Sequence, residues 1–101
     1  MNNSPRPVTD DELRKELPLG WEVVEASGIK KLRKTYELTK YSSGIDLVIK
    51  LAGLADTMDH HPDILLGYRV VKVEIYTHTI EGISALDLQF AIAAEKIHLK
   101  E

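Results

Sequence analysis

Two adjacent histidines, His60 and His61, close a long apolar run and stand directly before Pro62, and a third histidine, His78, follows further along the chain. Imidazole is the side chain whose ordinary pKa lies nearest neutrality, so a set of them is suited to both giving and taking protons. Proline cannot continue a helix, which places the histidine pair at a helix C-terminus, where the carbonyl dipoles favour a protonated ring. Asp56 lies one helical turn before His60, and that spacing predicts a carboxylate beside His60 that favours its cation. Such a set could perform general acid/base catalysis. The same residues also read as a charged, dipole-matched helix end without a catalytic role. A metal site built from His60, His61 and His78 is a further reading. Neighbouring helical residues point about 100° apart, so both could join one ion only if the helix unwinds there.

The elements that must hold these residues are legible from periodicity and punctuation. Residues 1–8 contain two prolines and few apolar groups and are expected to be a frayed tail. Thr9 and Glu12 have capping-box spacing, which predicts a short helix presenting Leu13 and Leu17, ended by Pro18 and Gly20. Trp21 to Glu25 and Ile29 to Leu38 are rich in β-branched and aromatic residues and flank Gly28, which predicts a hairpin. Trp21 itself reads as core or as a lid over the sheet edge.

A second helix is expected from about Tyr41 to Asp59. Asp46, Lys50, Gly53 and Thr57 fall in a narrow polar seam. Leu47, Leu51, Leu54 and Met58 form one apolar stripe, and Ile45, Val48, Ile49, Ala52 and Ala55 form another beside it. One sheet cannot cover both stripes. The excess predicts a homo-oligomer, dimer or tetramer, with the helix at 41–59 in its interface; a wider groove within one chain is the alternative.

Beyond Pro62, a short strand around Ile64 to Tyr68 precedes a strand in which Val71, Val73 and Ile75 alternate with Lys72, Glu74 and Tyr76. Strict alternation carries His78 to the side of Tyr76, away from the core, so meeting the His60 pair calls for a twist or bulge at the strand's end. Ser84 and Asp87 resemble a second capping box, with Asp in place of Glu, and Leu86, Phe90, Ala93, Ala94 and Ile97 mark the expected core face of a last helix. The order helix, strand, strand, helix, strand, helix predicts an α+β fold: an antiparallel sheet of three to four strands with helices packed on one face, as a single domain over 9–101.

Composition narrows the function classes. The 101 residues carry a formal charge of −3 with signs interspersed, which argues against a direct nucleic-acid partner. The absence of cysteine excludes thiolate chemistry and disulfides. The N-terminus lacks a signal-peptide core and no apolar run has membrane-spanning length, so a soluble cytoplasmic protein is expected.

Taken together, an acidic residue, three intervening residues, His-His-Pro, an aromatic six positions on, a histidine ten beyond it and an aspartate nine further form a signature. Asp56, His60-His61-Pro62, Tyr68, His78 and Asp87 stand at those intervals. In this the chain resembles the pterin-4a-carbinolamine dehydratases, and the resemblance extends over about residues 9 to 98. It implies dehydration of 4a-hydroxytetrahydropterin to quinonoid dihydropterin, the step that recycles the pterin spent by aromatic amino acid hydroxylases, with no metal or redox cofactor. It further implies His60 and His78 as acid and base, His61 as a holder of the pterin, and Asp56 as the residue that orients or charges His60. Asp59, Tyr76, Thr77 and Thr79 would border the pterin, and Asp87 would be a site residue or simply a helix cap. The chain departs from the family pattern at Asp56, commonly Glu, at Asp63-Ile64, often Glu-Trp, and at Lys40, commonly a capping Asp. Two alternatives accompany the resemblance. One is a binding or regulatory module, since animal members also bind a homeodomain transcription factor through the long helix. The other is a dehydratase for a different pterin, such as one in molybdopterin metabolism.

Overall fold

The computed structural model describes residues 5–99. Its elements are α1 (Asp10–Glu16), β1 (Trp21–Ala26), β2 (Ile29–Glu37), α2 (Tyr41–Met58), β3 (Asp63–Leu66), β4 (Val70–Ile75), a 3-10 turn (His78–Ile80) and α3 (Ala85–Leu99). The four strands form one antiparallel sheet in the order β1-β2-β4-β3. The expected α+β architecture is present, and the short strand before β4 is real.

Local chemistry explains most of the boundaries. The Thr9 hydroxyl accepts from the Glu12 N–H at 3.0 Å while the Thr9 N–H donates to the Glu12 carboxylate at 3.1 Å, the reciprocal capping box. Ser27 and Gly28 both have positive φ, 54° and 80°, the geometry of a tight two-residue hairpin loop closed by the Ala26–Ile29 pair. The first turn of α2 starts at Lys40 without a side-chain cap. Of the tail expected over 1–8, residues 1–4 lie outside the described residues. Arg6 to Val8 are tied to the start of α3, with Val8 N–H donating to Ile83 O at 3.1 Å and Ala85 N–H to Arg6 O at 2.9 Å.

Leu32, Tyr36, Val71, Val73 and Ile75 form the buried face of the sheet, and Leu47, Leu51 and Ala55 of α2 with Phe90, Ala91 and Ala94 of α3 pack on it. The opposite face carries Glu22, Lys31, Arg33 and Glu74 in a lattice of ion pairs. Burying a side chain such as Leu47 contributes about 1.5–3 kcal/mol. An exposed ion pair contributes roughly 0–1 kcal/mol. Helix-on-sheet packing therefore sets the stability, and the ion pairs of the opposite face add little to it.

Two helix faces differ from expectation. On α2 the buried line runs through Gly44, Leu47, Leu51 and Ala55, so Ala55 belongs to the core stripe. Ile45 and Ile49 stay in water at 37% and 64% exposure. Gly44 marks a close approach to the sheet: a Cβ there would meet Leu66 Cδ1 at 2.9 Å. On α3 the buried residues are Asp87, Leu88, Phe90, Ala91 and Ala94, while Leu86, Ala93 and Ile97 are only half-buried. The helix is rotated relative to its apolar count because polar side chains occupy part of the inward face. Glu95 accepts from Trp21 Nε1 at 3.1 Å, Lys34 Nζ at 2.6 Å and Tyr36 Oη at 2.8 Å.

Candidate active site

The His60-His61-Pro62 segment is placed by the way α2 ends. Asp59 adopts the left-handed conformation, φ 51° and ψ 44°, and the His60 N–H reaches back to Ala55 O at 3.1 Å, a wrap that stops the helix one residue before the pair. The chain then enters β3, where Asp63 pairs with Glu74 and Ile64 with Val73. His60 is joined to Thr77, just past the end of β4, through Asp87. There the chain is pinched into a tight loop, with Thr77 N–H donating to Gly82 O at 2.8 Å and Gly82 N–H to Thr77 O at 3.3 Å. His78 and Thr79 project from it, both exposed.

Asp87 joins the two segments. It lies at the third position of α3, fully buried, with its carboxylate between β4 and the end of α2. Its Oδ2 accepts from the Ser84 N–H at 2.7 Å and from the Thr77 hydroxyl at 2.8 Å, and its Oδ1 lies 2.6 Å from His60 Nε2. A buried carboxylate is costly unless its lone pairs are filled by donors, and three donors fill them here. Asp87 is thus both a helix cap and the partner of His60.

This corrects the pairing expected for Asp56. Its carboxylate contacts His61 Nε2 at 3.0 Å, with the two side chains 79% and 58% exposed, whereas the His60 side chain is 13% exposed and bound to Asp87. The spacing argument assumed an unbroken helix through residue 60. The left-handed Asp59 swings His60 inward and leaves His61 on the solvent side next to Asp56. The environments differ accordingly: one histidine is held by a dry carboxylate, the other by a solvated one.

His78 follows the alternation. Its ring lies against Tyr76, with centroids 4.3 Å apart and the Tyr76 hydroxyl 3.1 Å from Nδ1, and Lys31 Nζ sits 5.0 Å from the Tyr76 ring centre. No bulge brings it onto His60; the two arms meet through Asp87 and Thr77, the residue that precedes His78. The Thr77 side chain is 4% exposed and turned inward, so it serves the carboxylate rather than the rim. Ser84, expected only as a cap, is buried and hydrogen-bonded to Thr77 at 2.6 Å. Spacing from Asp87 flags Ser84 as a cap; its bond to Thr77 crosses between elements and has no sequence signal.

Among the described residues no group of three or more His, Asp or Glu side chains is arranged to hold a metal ion, and no helix is long and apolar enough to cross a membrane. A groove of about 270 Å³ is lined by Val8, Asp10, Leu13, Lys30, Glu81 and Ile83 among others, and none of the three histidines borders it. The chemistry the histidine arrangement offers is proton transfer at rings that each have one nitrogen in a described contact.

Comparison with known proteins gives consistent findings. The family model described as pterin 4 alpha carbinolamine dehydratase matches residues 6–97. A protein of Mycobacterium sp. strain JLS that carries the provisional name pterin-4-alpha-carbinolamine dehydratase is 37% identical over 92 residues, 89% of this chain and 94% of that protein. The mitochondrial pterin-4-alpha-carbinolamine dehydratase 2 of Arabidopsis thaliana is 29% identical over 83 residues, covering 81% of this chain and 44% of that protein. A crystal structure of a transcriptional coactivator/pterin dehydratase from Brucella melitensis superposes with a TM-score of 0.79 over 91% of this chain and 98% of that one, at 24% identity, and has the same fold.

Proposed function

This chain belongs to the pterin 4 alpha carbinolamine dehydratase family, and from that premise we propose that it dehydrates a 4a-hydroxytetrahydropterin to the quinonoid dihydropterin by histidine acid/base catalysis. Loss of water from C4a needs a proton delivered to the departing hydroxyl and the N5 proton removed. Both transfers suit imidazoles, which give and take protons near neutral pH. His60 and His78 carry the two protons, and His61, with the solvated Asp56 beside it, holds the flat pterin ring. Asp59, Tyr76 and Thr79 border the ring from the end of α2 and the 78–82 loop, and Thr77 contributes its backbone.

The observation that supports this reading most is the Asp87 carboxylate, which reaches His60 at 2.6 Å and Thr77, next to His78, at 2.8 Å. A plain helix cap has no use for a histidine from another element, whereas a proton carrier needs its ring held in one orientation. The test is a stopped-flow assay of quinonoid dihydropterin formation from synthetic 4a-hydroxytetrahydropterins differing at C6. His60→Ala and His78→Ala should each lower turnover by roughly 10²- to 10⁴-fold, the usual worth of general acid or base help. Wild-type turnover in both variants would remove these histidines from the mechanism.

The exposed Ile45 and Ile49 supply a second element of the reading: α2 is the self-association face of a homodimer or homotetramer. A regulatory protein partner on the same face is the competing use, and native mass spectrometry separates them. A tightly closed oligomer leaves the face unavailable, and a readily dissociating one leaves it open.

A further inference from the structure

Thr77, Ser84 and Asp87 form one buried hydrogen-bonded unit whose members come from two elements. Counting protons fixes its direction. A carboxylate has none to give, so the Thr77 hydroxyl donates to Asp87 Oδ2 at 2.8 Å. Having spent its only proton, Thr77 Oγ1 is the acceptor at its 2.6 Å contact with Ser84, and Ser84 Oγ is the donor. Ser84 Oγ in turn accepts from the Leu86 N–H at 3.2 Å, and the Ser84 N–H adds a 2.7 Å bond to Oδ2. Every proton of the unit is aimed towards Oδ2. Only Oδ1 is left for His60, and across 2.6 Å an acceptor-only oxygen requires that Nε2 bear the hydrogen.

We propose that Thr77 and Ser84 are positioning residues that, through Asp87, lock His60 as its Nε2–H tautomer and thereby make Nδ1 the atom that exchanges a proton with the substrate. The proposal deepens the reading of His60 as a proton carrier and rests on it for its catalytic part. A structural cap needs Ser84 and Asp87 alone. Thr77 lies outside α3, adds nothing to its first turn, and places a hydroxyl in the interior where a valine would fill the same space. Its hydroxyl links Ser84 to the carboxylate, occupying Oδ2 and orienting it. In the neutral ring the lone pair on Nδ1 then faces away from Asp87, available as a base.

Long-range proton–nitrogen NMR of the ¹⁵N-labelled protein tests this at about pH 8.5, two units above an ordinary histidine pKa. The wild-type His60 should show a protonated Nε2 and a bare Nδ1. Thr77→Val, which frees the carboxylate to turn away from the ring, should shift those signals towards a tautomer mixture and lower kcat by roughly 10- to 100-fold, the worth of a hydrogen bond to a charged group, with KM within about threefold of wild type. Ser84→Ala, which keeps both the Thr77 hydroxyl and the backbone N–H on Oδ2, should leave the tautomer in place. Thr77→Ser, which keeps the hydroxyl, should restore both readouts. A wild-type ring protonated at Nδ1 overturns the proposal, and so does a folded Thr77→Val with unchanged tautomer, whatever its activity. If Thr77→Val fails to fold, Thr77→Ala carries the comparison with Thr77→Ser. Should the wild-type protein leave every pterin unreacted, the dehydratase reading fails, while the tautomer of His60 still decides whether the unit sets it.

Discussion

Replacing Asp87 in two ways separates its part in the fold from its part in the chemistry. In Asp87→Ala the Ser84 N–H loses its cap, worth about 1 kcal/mol. One hydroxyl proton of the Thr77–Ser84 pair is also left without an acceptor in the interior, at about 1–2 kcal/mol. The sum, about 2–3 kcal/mol, should lower Tm by roughly 10–20 °C for a domain of this size. In Asp87→Asn the amide oxygen can keep both donors on Oδ2. The reverse orientation would point the amide hydrogens at the Ser84 N–H, donor against donor, so the NH₂ group faces His60. Stability should then fall by only about 1 kcal/mol. The His60 Nε2, now opposite a donor, must become an acceptor, and the proton moves to Nδ1.

A histidine held in the wrong tautomer by this same exchange slows serine protease catalysis by about 10⁴-fold with its geometry intact. Here the comparable expectation is a loss of roughly 10²- to 10⁴-fold in kcat for Asp87→Asn. Urea unfolding and stopped-flow turnover, run on the same preparations, give the two numbers. The reasoning is refuted if Asp87→Asn turns over within about threefold of wild type.

Other expectations follow from single contacts. Asp56→Asn should lower kcat less than about fivefold, because exposed pairs such as Asp56–His61 are worth roughly 0–1 kcal/mol; a loss of a hundredfold in stopped-flow assay would give that pair a larger role. Acid should unfold the protein through its carboxylates. Burial raises the Glu95 pKa, but the bonds from Lys34, Tyr36 and Trp21 outweigh it and hold the group below its ordinary range, while Arg6 and the Thr9 N–H hold Glu12 at about 2 against an ordinary 4.5. A depressed folded-state pKa gives stability that is present above the ordinary value and lost as pH falls towards the folded one. Thermal melts from pH 6 to about 2.5 should therefore steepen below about pH 4.5, and Glu95→Gln should flatten that dependence; an unchanged slope would show that the Glu95 cluster is not linked to folding. Ile49→Glu should leave the circular dichroism spectrum intact while lowering the mass seen by native mass spectrometry, and an unchanged oligomer would place the interface elsewhere.

What the sequence makes legible here is what depends on near neighbours. The Thr9–Glu12 box, the glycine-assisted hairpin turn at Gly28 and the alternation of β4 are each decided within a few residues, and each is found in place, whereas the helix expected to run into Pro62 ends at Met58 on the left-handed Asp59. The site escapes the same treatment for two physical reasons. Asp59 takes a left-handed conformation that glycine or asparagine would have announced, and that one residue exchanges the carboxylate partners of His60 and His61. Asp87 has one oxygen with a neighbour three residues away and one with a histidine 27 residues away, and capping logic sees only the first.

The same cause turns the face of α3. An apolar count picks Leu86, Phe90, Ala93, Ala94 and Ile97; Phe90 and Ala94 are buried as expected, but the buried line continues through Asp87 and Ala91, with Glu95 joined to Trp21, Lys34 and Tyr36 beside it. Polar residues on the inward face are destabilising until a distant donor is found, so their presence there implies partners elsewhere in the chain. For Glu95 the partners lie in the sheet and fasten the helix to it. For Asp87 one of them is a histidine. That contrast argues that the mismatch between apolar pattern and buried face near the start of α3 is the mark of the site itself, since local consistency is most often broken where function requires it.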